Sequence, residues 1–99
     1  MSKKEQIIEE IRKIYDPELP VNIYELGLIY DVTVENDNFA KIKMTLTTPN
    51  SPVAESLPKE VKEGAMQVEG IKDVDLELVW DPPWNKDMMS DAAKLELNL

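Results

Sequence analysis

The first fifteen residues have the spacing of an amphipathic helix. Apolar side chains recur there at intervals of three and four residues, which places them on one helical face. They are Ile7, Ile8, Ile11, Ile14 and Tyr15. Ser2 and Glu5 have the spacing of a capping box at the helix start. Because Pro17 disfavours helical backbone at the residue before it, the pattern predicts a helix over residues 3–15.

Two segments with alternating apolar and polar residues follow, and they predict a β-hairpin. Over residues 28–35 and again over residues 40–47, every second side chain is apolar, as in strands with one buried face. The intervening Asn36, Asp37 and Asn38 favour a turn. The other face of both strands carries charged and threonine side chains, which indicates a sheet that is covered on one side only.

A second helix is predicted after the hairpin. Ser51 followed by Pro52 is typical of a helix start, with serine as the cap and proline in the first turn. Apolar residues at helical spacing then extend to about Gly70. Pro58 lies inside this span, so we expect either a kinked helix or a first turn that is set apart.

A third strand and a short helix complete the chain. Residues 73–80 alternate, and Ser90 is placed to cap a helix that ends at Lys94 or Glu96. The element order predicts an α+β fold with two layers, in which helices cover one face of a small, mainly antiparallel sheet of three strands, with room for a fourth. The third strand follows a helical crossover and could join the sheet in either direction. Residues 1–99 contain no linker or repeat, which indicates one domain.

Cysteine and histidine are both absent from the 99 residues. Their absence excludes disulfides, thiolate nucleophiles, imidazole bases and zinc ligation by these side chains. The net charge of -9 opposes binding to phosphate groups, and no apolar stretch reaches the length of a membrane span. We therefore expect a cytoplasmic protein that binds neither nucleic acid nor membrane.

Negative charge is concentrated in residues 16–39. This segment has six carboxylates and no basic residue: Asp16, Glu18, Glu25, Asp31, Glu35 and Asp37. It forms either a solvated acidic face or a surface that docks a basic partner or a hard cation. Without histidine or cysteine, any metal would need oxygen ligands, which suit magnesium or calcium.

Five sequence blocks occur in an order that is characteristic of one family. They read DPELPVNI at 16–23, LGLIY at 26–30, MTLTTP at 44–49, WDPPW at 80–84 and DMMS at 87–90. In these blocks the chain resembles the iron-sulfur cluster assembly domain family, which includes SufT, PaaD and the MIP-eighteen-type proteins. The resemblance covers nearly the whole chain.

The resemblance implies a small assembly domain that is not itself an enzyme. It would act as an accessory docking or transfer adaptor in iron-sulfur cluster assembly, with assembly machinery or apo-protein targets as partners. An unpaired sheet edge would permit a homo-oligomer. Two alternatives stay open: a PaaD-like accessory subunit linked to a phenylacetyl-CoA oxygenase, and a small acid–base enzyme that uses Asp16, Glu18 or Asp81.

Ser51 stands where the family usually has a cysteine, directly before the proline that starts the second helix. A cysteine at a helix N-terminus offers a thiolate, whereas a serine hydroxyl stays protonated and is a harder donor. Serine remains a good helix cap. We therefore expect no stably bound cofactor and no metal site, with an iron-sulfur cluster handled only indirectly.

The polar, irregular segments next to the predicted elements are expected to converge on one site around the start of the second helix. The family motifs supply its candidate residues: Asp16, Glu18, Asn22, Thr47, Thr48, Ser51, Asp81 and Trp84. None of them is expected to be catalytic. We expect Trp80 in the core, whereas Trp84 could either pack internally or anchor a partner.

Overall fold

The computed structural model describes residues 2–16, 20–46 and 53–98. The elements are α1 Lys3–Ile11, β1 Ile29–Glu35, β2 Phe39–Met44, α2 Val53–Met66, β3 Asp73–Leu78, a 3₁₀ turn Lys86–Met88, and α3 Asp91–Glu96. This order confirms the predicted α+β fold. In the part of the chain that the structure describes, no helix is long and apolar enough to cross a membrane.

The first helix begins where the capping box predicts and ends earlier than the apolar spacing suggests. The Ser2 hydroxyl accepts a hydrogen bond from the Glu5 amide at 3.1 Å. Helical structure ends at Ile11, because the chain then turns and becomes extended, with Tyr15 in an antiparallel bridge to Asn22. The pairing of Tyr15 with Asn22 therefore overrides the helical spacing at the end of this segment.

The three strands form a mixed sheet in the order β1-β2-β3. β1 and β2 make the predicted antiparallel hairpin, whose turn holds Asn36 and Asp37 at φ values of 54° and 58°. Asn and Asp tolerate this left-handed conformation better than most residues. β3 pairs with β2 in parallel, which requires a crossover, and α2 provides it. The expected mainly antiparallel pairing thus holds for the hairpin only, and no fourth strand is present among the described residues.

Helices cover one face of the sheet, as predicted. α1 packs against α2 and β1, while α2 packs against β3. The largest fully buried apolar side chains come from both layers and from the segment before β1: Ile7, Ile11, Ile23, Leu26, Leu28, Ile42, Met44, Leu57 and Val61. The opposite face of the sheet is exposed and carries charged side chains on all three strands.

Pro58 lies inside α2, which nevertheless runs without interruption from Val53 to Met66. The alternative of a first turn set apart is therefore wrong for the described part of the helix. Pro58 has no amide hydrogen, so one helical hydrogen bond is missing near the start of α2. The predicted cap at Ser51 lies outside the described residues and stays a prediction.

The chain end forms the predicted short helix. The Ser90 hydroxyl accepts a hydrogen bond from the Ala93 amide at 3.1 Å, and α3 ends at Glu96. The 3₁₀ turn before it was not predicted, because three residues are too few to show a hydrophobic period. Its start is stabilised by Asn85, whose side-chain oxygen accepts from the Asp87 amide at 2.8 Å.

Gly27 allows two segments far apart in sequence to touch. Its φ is 84°, and a Cβ at this position would overlap the backbone carbonyl group of Met88. Both the positive φ and the lack of space favour glycine. This contact attaches the end of the 3₁₀ turn to the turn that precedes β1.

Gly27→Ala is expected to lower the free energy of unfolding by about 2–5 kcal/mol, because the variant combines backbone strain with overlap. Gly64→Ala is the matched control, since a Cβ there would make only ordinary contacts, the nearest at 3.6 Å to Ile14 Cδ1. In the middle of α2, this control should raise stability by about 0.5–1 kcal/mol. Urea denaturation measures both values, and equal stability of the two variants would contradict the role of the Gly27 contact.

Candidate functional site

Three irregular segments meet at the end of the sheet where β1 begins and where β2 and β3 end. The Thr45 amide donates to the Leu28 carbonyl at 2.8 Å, and the Val79 amide donates to the Met44 carbonyl at 2.8 Å. These bonds join the segment before β1, the segment after β2 and the segment after β3. Most of the described candidate residues come from these segments.

The chain between α1 and β1 folds back on itself. Tyr15 pairs with Asn22, whose side-chain oxygen accepts a hydrogen bond from the Glu25 amide at 2.9 Å. Asparagine favours a turn closed in this way. Asp16 follows the bridge directly and is buried, with 6% of its surface exposed. The structure thus brings Asp16 and Asn22 into one folded segment, where Asn22 closes a turn.

The two tryptophans differ in their environments, and only Trp80 departs from its expected position. The Trp84 indole N–H donates to the Leu26 carbonyl at 2.8 Å, and its half-buried ring packs against the core. Trp80 is 45% exposed, so its expected core position is wrong. The reason is that β3 is an edge strand and ends at Leu78, so the alternating pattern no longer determines burial at Trp80.

Tyr30 supports the loop that follows β3. Its hydroxyl donates to the Pro82 carbonyl at 2.7 Å and lies 3.4 Å from the Met88 sulfur. Partial burial, and in addition the negative charge of the exposed Asp81, raises the pKa of Tyr30 above its ordinary value of 10.0. Alternation in β1 placed Tyr30 on the apolar face of the strand, and no sequence signal marked this long-range bond.

Thr45 carries a buried hydroxyl for which residues 2–16, 20–46 and 53–98 supply no hydrogen-bond partner. Its residue exposure is only 1%, although the alternating pattern predicts its side chain on the open face. That prediction is wrong because β2 ends at Met44, one residue earlier. Residues 47–52, close to Thr45 in sequence, lie outside the described part of the chain.

Four candidate residues lie outside the described residues: Glu18, Thr47, Thr48 and Ser51. The convergence of the whole set around the start of α2 consequently stays a prediction. Of the described members, Asp16 and Asn22 share the folded segment between α1 and β1. Trp84 contacts that segment, whereas Asp81 lies in the loop supported by Tyr30.

The described side chains offer hydrogen bonds and packing rather than metal ligation. Among residues 2–16, 20–46 and 53–98, no group of three or more acidic side chains is arranged to hold a metal ion. The full sequence also lacks cysteine and histidine.

The fold and the contacts at this end of the sheet are those of a small α+β domain. Residues 4–78 match the model of the iron-sulfur cluster assembly protein family. The chain belongs to this family. The family resemblance drawn from the five sequence blocks is thereby confirmed.

Two similar proteins are named as Fe-S protein maturation auxiliary factors, and a solved crystal structure is similar in fold. An Fe-S protein maturation auxiliary factor of Porphyromonas gingivalis is 47% identical over 98% of this chain and 92% of its own length. The Fe-S protein maturation auxiliary factor SufT of Staphylococcus aureus is 38% identical over 87% of this chain and 98% of its own length. A crystal structure of a domain of unknown function, DUF59, from Bacillus anthracis superposes with a TM-score of 0.90 at 36% identity. It covers 98% of this chain and 92% of that one.

Tyr30→Phe should lower the free energy of unfolding by about 1 kcal/mol at neutral pH, because it removes the bond to Pro82. In the wild type, the raised pKa means that the folded state favours the neutral phenol. This contribution is fully present below the unfolded pKa near 10 and is lost as pH rises through the higher folded pKa.

Denaturant unfolding at a series of alkaline pH values measures this effect as the stability difference between wild type and Tyr30→Phe. Tyr15→Phe is the control, because the Tyr15 side chain is 55% exposed. A stability difference that stays constant through the tyrosine titration would contradict the assignment.

Proposed function

We propose that this chain is an accessory protein of iron-sulfur protein maturation that acts by binding other proteins and does not itself catalyse a reaction. Family membership and relatives named as maturation auxiliary factors support the accessory role. The proposed partners are assembly machinery or apo-protein targets. The specific activity that we assign to the chain is that of an adaptor, which docks such proteins or assists transfer between them.

The single observation that carries this proposal is a near full-length match to a maturation factor by a chain without cysteine or histidine. Iron-sulfur clusters are held by thiolates, with imidazole in some cases. A cluster is therefore cargo in this system, and the partner proteins supply its ligands. This chain contributes surfaces that bring those proteins together.

Neither alternative gains support from a specific observation. The two relatives named above are maturation factors, and nothing in their names favours a PaaD-like oxygenase subunit. A two-carboxylate acid–base mechanism would need paired groups. Glu18, the third carboxylate named for this mechanism, lies outside the described residues.

Expression of this chain in a Staphylococcus aureus strain that lacks SufT tests the accessory role. We expect it to restore the activity of an enzyme that requires an iron-sulfur cluster. Ser51→Cys should restore that activity to the same extent, because the proposed role depends on contacts rather than on a thiolate. Gly27→Ala is the negative control, since its lower stability is expected to reduce the level of folded protein.

Two results of this experiment would contradict the proposal. Failure of the wild-type chain to restore activity, despite an equal level of folded protein, would argue against the accessory role. Restoration by Ser51→Cys alone would show that the role requires a thiol, which the contact-based proposal excludes.

Anaerobic incubation of the purified chain with iron and sulfide tests the expectation that it holds no cluster. After desalting, we expect iron and sulfide well below one equivalent per chain, because soft ligands are absent. Retention of both at stoichiometric amounts, with the visible absorption of a cluster, would overturn this expectation. Ser51→Cys, treated in parallel, shows whether a single thiol at this position changes retention.

A further inference from the structure

Large apolar side chains are exposed at a few places in the described part of the chain. They are Tyr15, Met66, Trp80 and Leu95. Tyr15 and Leu95 are distant in sequence but line the same groove, and Leu95 is 79% exposed. Exposed apolar side chains grouped in a concave surface are typical of a binding site, whereas single ones are common on any surface.

The groove lies between the folded segment after α1 and helix α3. Its volume is about 350 Å³, and its apolar lining includes Pro20, Val21 and Ala92 beside Tyr15 and Leu95. A second, separate depression of about 320 Å³ is also lined by Tyr15, together with Ile14 and Gly64. We call the two depressions together the Tyr15 groove.

The rim of the Tyr15 groove is acidic. Its described charged residues are Glu25 and Glu96 in the first depression, and Lys13, Glu60 and Glu63 in the second. The Lys13 ammonium is already paired with Glu10 at 3.1 Å, and an Arg12 guanidinium nitrogen lies 3.8 Å from Glu25. The remaining carboxylates attract positive charge.

The walls of the groove are held in place before any partner binds. The Tyr15–Asn22 bridge fixes one wall, together with a 2.9 Å hydrogen bond from the Ile23 amide to the Ile14 carbonyl. The other wall is attached because the Ser90 amide, at the start of α3, donates to the Glu25 carbonyl at 2.9 Å. A preformed surface loses less conformational entropy on binding.

We propose that the Tyr15 groove binds a short segment of a partner protein in which apolar side chains are flanked by lysine or arginine. The apolar side chains would pack on Tyr15 and Leu95, and the basic side chains would face the glutamates of the rim. A second copy of this chain is a poor occupant, because its net charge of -9 repels an acidic rim. Identification of the partner as a protein of iron-sulfur maturation rests on the proposed function.

The test uses a fluorescein-labelled peptide of alternating leucine and lysine, with binding followed by fluorescence anisotropy. Two control peptides replace either all lysines with glutamate or all leucines with serine. We expect binding of the first peptide only, with affinity that falls as salt concentration rises. Amide chemical shifts should change at Asn22, Ala92 and Leu95 and stay constant on the open face of the sheet.

Variants of the chain separate groove binding from general attraction to acidic protein. Leu95→Ser and Tyr15→Ser should each weaken binding of the leucine-lysine peptide by about tenfold or more. Both side chains are mostly exposed, so the fold should tolerate the changes. Trp80→Ser is the matched control, because it removes an exposed aromatic ring outside the groove, and it should leave the affinity unchanged.

Three results would overturn the inference: no binding of the leucine-lysine peptide, equal binding of the glutamate control, or unchanged affinity in both groove variants. Sedimentation supplies a fourth, since a dimer that Leu95→Ser converts to a monomer would identify a second copy as the occupant.

Failure of the groove assignment is distinguishable from failure of the proposed function. A chain that restores the SufT-deficient strain without binding the peptide would refute the groove assignment alone, and peptide binding without restoration would refute the maturation role alone.

Discussion

The close approach of Gly27 to the Met88 carbonyl is the constraint on which the sheet end depends. It lets the chain before β1 lie directly against the chain that follows β3. Trp84 and Tyr30 reinforce this approach with hydrogen bonds to backbone carbonyls on the facing segment. Because these contacts are made between distant parts of the sequence, this end of the sheet is formed only when both segments are folded against each other.

Local features of the fold could be predicted from the sequence because short-range chemistry determines them. The Ser2 and Ser90 caps are confirmed, and so is the hairpin turn at Asn36 and Asp37. Alternation specifies which side chains face the core, but it contains no information on strand direction. The parallel pairing of β3 and the bridge at Tyr15 therefore required the three-dimensional structure.

The candidate site was predictable mainly as a set of motifs. The structure gives several motif residues specific tasks: Asn22 closes a turn, and Trp84 packs internally. The roles of Tyr30 and Thr45 were not predictable, because one depends on a long-range hydrogen bond and the other on the point where β2 ends. Family resemblance identified segments that meet at this end of the sheet, but it did not assign each side chain its structural role.

The open face of the sheet affects which surfaces can form dry interfaces. Lys41 and Lys43 form a central row, with Asp75 and Glu77 beside them on one neighbouring strand and Asp31 and Glu35 on the other. A partner that packed a flat hydrophobic surface on this face would have to remove water from the charged side chains of all three strands. Packing of a second sheet on this face is thus discouraged, and burial of the helical layer or of the strand ends would require less dehydration of charge.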